Sequence, residues 1–242
     1  MRPERTPPGR LLLWAALLSC AAPAFAQNQT PGEAQPGSGA ARILTFIEVA
    51  ATSAGDAARI LRQYRAGLRS SASSVRVELL QELDRPGRFA LLESADAGAD
   101  LDASEARLQP TLESLQPLLS APLDRRANRD FAPAANKAGA ARSRLAASPL
   151  YVLAHLDIAP PATPAVRGAL ENLANAARRS DGNQGFDVWQ QANRGNHFNF
   201  VSVWTSRRNF EAFAAGAGAR EFRTAVARGL GSPYDERLYR AL

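Results

Sequence analysis

An α+β fold of two tandem βαββαβ (ferredoxin-like) units is predicted by three observations. The first is an internal repeat: Ile43–Ala50 (ILTFIEVA) returns as Val152–Ala159 (VLAHLDIA), at an offset of 109 residues. The offset holds without a gap through the third strand, pairing Leu61 with Leu170, Gln81 with Gln190, Arg85 with Arg194 and Phe89 with Phe198. It becomes 111 near the end, where Ala121-Pro122-Leu123-Asp124 matches Ser232-Pro233-Tyr234-Asp235. The second is that each copy alternates strand-like and helix-like hydrophobic periods in one order. The third is a turn-forming segment in each copy, Asp84-Arg85-Pro86-Gly87 and Asn193-Arg194-Gly195-Asn196, between two alternating strands.

Each copy begins with a strand rich in branched aliphatic residues, 43–49 and 152–158. A helix follows at about 56–70, where Ala57, Ile60, Leu61, Tyr64 and Leu68 recur at helical spacing, and at 164–179, where Pro164 suits a first turn. The hairpin takes 75–83 and 89–94 in the first copy, and 185–192 and 198–204 in the second. A second helix is expected at about 100–119 and 208–228, and a short last strand after Pro122 and Pro233. One sheet face is covered by its own helices and the other needs a partner sheet, so the two units are expected to bury those faces on each other.

The start and the connector differ from the repeats. Arg2, Arg5 and Arg10 precede the apolar run Leu11–Leu18, followed by Pro23 and Ala24-Phe25-Ala26. This predicts a Sec-type bacterial signal peptide over 1–26 and a periplasmic or secreted product. The run is shorter than the ~20 residues a membrane span needs. Leu17-Leu18-Ser19-Cys20 also fits a lipoprotein cleavage box, which leaves a lipid anchor on Cys20 as the alternative. Residues 27–41 read as a disordered lead-in, 42–126 as the first unit, 127–149 as a basic Ala/Pro-rich linker and 150–242 as the second unit.

The chain of 242 residues carries a net charge of +6. Residues 1–26 account for +2 and residues 124–149 for +4, so the folded units are neutral and a nucleic-acid surface is not expected. One cysteine and two histidines exclude a disulfide scaffold and a zinc–thiolate centre, and no metal or cofactor motif is present.

The run Val77–Glu93 (VELLQELDRPGRFALLE), the run Phe186–Trp204 (FDVWQQANRGNHFNFVSVW) and the ending Ser232–Arg237 (SPYDER) resemble the antibiotic biosynthesis monooxygenase family, including its quinol monooxygenases. The resemblance implies a dimeric-type α/β barrel, here with both halves in one chain. It also implies cofactor-free oxidation of a hydroquinone or polycyclic phenol by O₂, with haem degraders and members without known activity as relatives. Such chemistry is spin-forbidden unless the substrate anion gives up an electron, so a base and a dry aromatic pocket suffice. Family members often carry two histidines in the second helix. Those positions are Phe213 and Gly218 in the second copy, and Ser104 stands at the first of them in the first copy.

The second copy holds eleven aromatic residues against three in the first, which places an aromatic pocket there. Strand alternation puts Leu153, His155 and Asp157 on the barrel side, with Asp187, Trp189 and Gln191 beside them. Phe198, Phe200, Ser202 and Trp204 share one face. Trp204 matches a tryptophan that reaches the pocket in several members of the family; the first copy has Ala95 there, so its pocket is expected to be degenerate. His155 is a proton acceptor oriented by Asp157, or a satisfied core histidine. Trp189, Gln191, Phe200 and Trp204 are the candidate substrate-binding residues. The alternative to an enzyme is a non-catalytic barrel that holds aromatic molecules. Association of barrels beyond one chain stays open.

Overall fold

The computed structural model describes residues 41–70, 75–95, 101–131 and 148–242. The expected signal peptide, Cys20, nearly all of the lead-in and most of the linker lie outside the described residues. The first unit runs β1 (Ala41–Glu48), α1 (Ala54–Ser70), β2 (Val75–Glu82), β3 (Arg88–Ala95), α2 (Leu101–Leu115) and β4 (Asp124–Asp130). The second runs β5 (Leu150–Asp157), α3 (Thr163–Arg178), β6 (Asn183–Gln191), β7 (His197–Trp204), α4 (Arg207–Ala214), α5 (Ala217–Ala227) and β8 (Asp235–Ala241).

The eight strands close into one barrel in the order β1-β3-β2-β8-β5-β7-β6-β4. Closure falls to the last strand of each unit. β4 pairs with β1 of its own unit and β6 of the other; β8 pairs with β5 and β2. Among the described strands no sheet edge is then left unpaired. β4 runs to Asp130 and Phe131 is buried, so the first unit continues past residue 126. Its arginines are committed within the fold: Arg125 pairs with Glu93 at 2.8 Å, and Arg126 pairs with Asp124.

Three apolar clusters follow from strand alternation. Leu44, Leu80, Leu92, Tyr151, Leu153, Trp189, Val201 and Tyr239 fill the barrel. Ile47, Leu79, Phe89 and Leu91 lie under α1 and α2, against Leu61, Leu108 and Leu115. Val152, Phe186, Val188, Phe198, Phe200 and Trp204 lie under the helices of the second unit, against Val166, Leu170, Phe210 and Phe222. The repeat is visible in single bonds. Gln81 donates to the carbonyl of Pro86, and Gln190 does so to Gly195, each clamping its hairpin turn.

The expected single helix over 208–228 is two helices. Ser206 caps α4 by accepting from the Asn209 amide at 3.2 Å. The chain then breaks at Ala215-Gly216, where Gly216 is extended (φ −70, ψ 165). A Cβ on Gly216 would stand 2.9 Å from the Phe213 carbonyl oxygen.

Candidate functional site

The two faces of the second unit's sheet carry two different polar arrangements. On the helix side, Phe186, Phe200, Phe213, Phe222 and Tyr234 surround a slot of about 20 Å³ that Ser202, Arg223 and Glu236 also line. That volume holds about one water. Trp204 is fully buried beside it; its indole N–H donates to Ser202 Oγ at 3.0 Å, and its ring stacks on Phe213 with centroids 5.0 Å apart. Phe213 is half-buried and also lines an open surface depression of about 490 Å³, so its ring separates slot from solvent.

The slot has one acid. Tyr234 Oη donates to Glu236 Oε2 at 3.0 Å. Glu236 is open to water on its outer side and backed by the slot wall. Partial burial pushes its carboxyl above the usual range, while the Tyr234 bond and Arg223 pull it down. Tyr234 sits well above an ordinary phenol, first because it is desolvated and then because of Glu236, so it stays protonated and acts as a donor.

The first unit fills the same position differently. Glu93 stands where the second unit has Ser202, and Arg125 where it has Glu236. Glu93 is 2% exposed, accepts from Tyr64 Oη at 3.2 Å and pairs with Arg125 at 2.8 Å. A partly buried ion pair thus occupies the space that is a slot in the second unit.

The barrel side holds the other arrangement. His155 lines a chamber of about 220 Å³ at the barrel mouth, shared with Phe46, Glu48, Arg88, Arg126 and Arg237. The Arg126 and Arg237 guanidiniums lie 5.0 and 5.8 Å from the Phe46 ring centroid. His155 does not touch Asp157 directly. His197, beside the second unit's hairpin turn, stands between them with a side chain 13% exposed. Asp157 Oδ1 is 3.3 Å from His197 Nε2, and His197 Nδ1 is 3.4 Å from His155 Nε2. His155 Nδ1 faces Asn199 Oδ1 at 3.1 Å. Both imidazoles are held below their ordinary pKa, first by burial; Arg126 is the next cause at His155.

The expected site residues therefore divide. His155, Asp157 and Trp189 lie on the barrel side, with Trp189 packed inside the barrel. Gln191 ends β6 on that face and donates to Asn193 Oδ1 at 3.0 Å. Phe200 and Trp204 belong to the helix-side cluster, so Trp189 and Trp204 lie on opposite faces of the sheet. Glu236, Tyr234 and His197 are polar groups the sequence reading did not single out. The family's second-helix histidine positions fall at Phe213, the slot's outer wall, and at Gly218, where a Cβ would meet the Ala176 methyl at 2.9 Å.

Fold and slot together define a dimeric-type α/β barrel folded from one chain, with an aromatic cavity in one half. Residues 149–225, within the second unit, match the antibiotic biosynthesis monooxygenase family. The whole barrel is similar to a candidate monooxygenase of Fusobacterium nucleatum subsp. nucleatum, with TM-score 0.66, 8% identity and coverage of 84% of this chain and 93% of that one. It is also similar to a candidate monooxygenase of Lactobacillus acidophilus NCFM, with TM-score 0.61, 7% identity and coverage of 84% and 98%. A third likeness is to an anthrone oxidase-like protein, with TM-score 0.61, 12% identity and coverage of 84% and 91%. At these identities the likeness concerns the fold. No curated protein matches the sequence. Among the described residues, no helix is long and apolar enough to cross a membrane.

Proposed function

We propose that the protein is an exported, cofactor-free monooxygenase that oxidises a hydroquinone or polycyclic phenol with O₂ in the helix-side slot of its second unit. The observation that carries this reading is the pairing of aromatic walls with one carboxyl group whose pKa is raised. Phe200 is an inner wall, Phe213 is the gate, and Trp204 lies against the gate's ring. When Phe213 swings toward the surface depression, slot and depression join, and a flat ring can replace it on the Trp204 face.

The chemistry needs only a proton acceptor at the start. Glu236 takes the hydroxyl proton of the substrate and releases it to the water on its outer side. The anion transfers an electron to O₂, and the resulting pair recombines at a ring carbon as a peroxide. Loss of water leaves a carbonyl. A hydroquinone plus O₂ gives a hydroxyquinone plus one water, so the substrate supplies every electron. Tyr234 donates to whichever oxygen carries negative charge. His155, Asp157, Trp189 and Gln191 face the barrel, and the reaction in the slot does not pass through them.

The second reading is a holder of aromatic molecules. The closed slot, and Phe213 and Gly218 at the two histidine positions, favour it. Reaction under ¹⁸O₂ separates the two. The enzyme reading expects one labelled oxygen in the product and none with Glu236→Gln. Tight binding of the same compounds with no labelled product selects the holder.

A further inference from the structure

The hydrogen bonds around His155 and His197 orient the two rings so that the position between them suits a cation. Asn128 Nδ2 donates to the Arg126 carbonyl at 2.8 Å, which turns its Oδ1 toward Asn199. Asn199 Nδ2 donates to that oxygen at 2.7 Å. Asn199 Oδ1 therefore faces His155 Nδ1, and that nitrogen must carry a proton. At the other end the Asp157 carboxylate calls for a proton on His197 Nε2. With both outer nitrogens protonated, neutral rings present lone pairs on the inner two, His155 Nε2 and His197 Nδ1, which face each other at 3.4 Å.

Two lone pairs aimed at one another repel unless a positive charge lies between them. A bridging proton is one such charge, but 3.4 Å is long for an N–H···N bond. The same separation suits a metal. Two imidazole nitrogens bound at about 2.0–2.1 Å to a tetrahedral ion stand about 3.3–3.4 Å apart. Histidines that bind metals usually donate their other N–H to a carboxylate or carbonyl, and here Asp157 and Asn199 take those two protons.

We propose that His155 Nε2 and His197 Nδ1 hold a divalent first-row transition ion of the copper or zinc type at the barrel mouth. Imidazole suits these ions, and the outer hydrogen bonds of both rings orient them for it. The described residues contain no cluster of three or more His, Cys, Asp or Glu side chains fit to bind a metal, so the ion would have two protein ligands and would face the chamber with its other positions. The site lies on the opposite face of the sheet from the slot and stands or falls independently of it.

The test is Cu²⁺ added to the untagged, metal-free full chain. His155 and His197 are the only histidines in the sequence, so imidazole signals have no other source. One equivalent should bind with electron spin-echo modulation from two imidazoles. His155→Ala and His197→Ala should each weaken binding at least tenfold and remove one imidazole signal. Asp157→Asn should weaken it about 10–100-fold while leaving two. A wild-type spectrum with fewer than two imidazoles, or equal affinity in the double alanine variant, overturns the proposal. Because those variants disturb a packed corner, wild-type histidine ¹⁵N NMR provides a second check. Zn²⁺ should shift His155 Nε2 and His197 Nδ1, and a proton shared between the rings that survives excess Zn²⁺ overturns the proposal.

Discussion

Phe213 lies nearly parallel to Trp204, with centroids 5.0 Å apart and planes inclined by 29°, and this stack is the door of the helix-side slot. Phe213→Ala should remove the door. Binding of a flat hydroquinone should tighten several-fold, read by fluorescence titration. The cost in stability should be about 1–2 kcal/mol, below the ~3–5 of a fully buried Phe→Ala, because the ring is half-exposed. Unchanged or weaker binding in a folded variant would show that Phe213 is only a wall.

Glu236 fixes the pH dependence. Its folded-state pKa lies above the ordinary 4.5, with desolvation as the main cause. A raised carboxyl favours the fold at pH below the unfolded value, and that contribution is lost as pH rises through the folded value. Glu236→Gln should therefore melt higher than wild type at pH 8, and the gap should close below about pH 4. Oxidation should rise with pH along a limb displaced above 4.5. Melting curves across pH with no gap at pH 8, or with a gap that does not close at low pH, would refute the assignment.

The Glu93–Arg125 pair should behave as a structural lock of the first unit. Arg125→Met leaves a carboxylate that is 2% exposed without its guanidinium partner, and should cost about 2–4 kcal/mol in urea unfolding. Glu93→Leu combined with Arg125→Met should recover most of that loss. A single variant within 0.5 kcal/mol of wild type, roughly the scale of a surface change, would contradict the lock.

Gly182 is the one described residue at positive φ, 75°. A Cβ there would lie 1.9 Å from Asn209 Nδ2, so Gly182→Ala should destabilise by about 1–3 kcal/mol and disturb the start of α4. Gly168→Ala, in α3 with open space around it, should instead stabilise by about 0.5–1 kcal/mol. Thermal melts of the two variants that move in the same direction would contradict this reading.

Most of the fold was legible because the repeat carries its own check. A strand, a turn clamp or a buried face seen in one copy had to recur 109 residues later, and Gln81 and Gln190 do so down to the bond. The helix break was signalled only by Gly216-Ala217-Gly218, within a segment whose apolar spacing suits one helix. The site was harder to read because it depends on pairing between strands distant in sequence. Asp157 faces His197 and His155 faces Asn199 in the β5–β7 register, which no local pattern fixes. The same register shows why His155 and Trp204 part company. The partner of His155 is Asn199, and Phe200 and Trp204 alternate to the other face.

The central claim is that a substrate is oxidised in the slot, so the most direct measurement is O₂ uptake. Wild type, Glu236→Gln and the His155→Ala/His197→Ala double variant would be compared over a panel of hydroquinones and polycyclic phenols, with a metal chelator present. The account predicts uptake above the autoxidation rate in wild type, retention in the double variant and loss in Glu236→Gln. No uptake by a folded wild-type protein, or full uptake by Glu236→Gln, would contradict it.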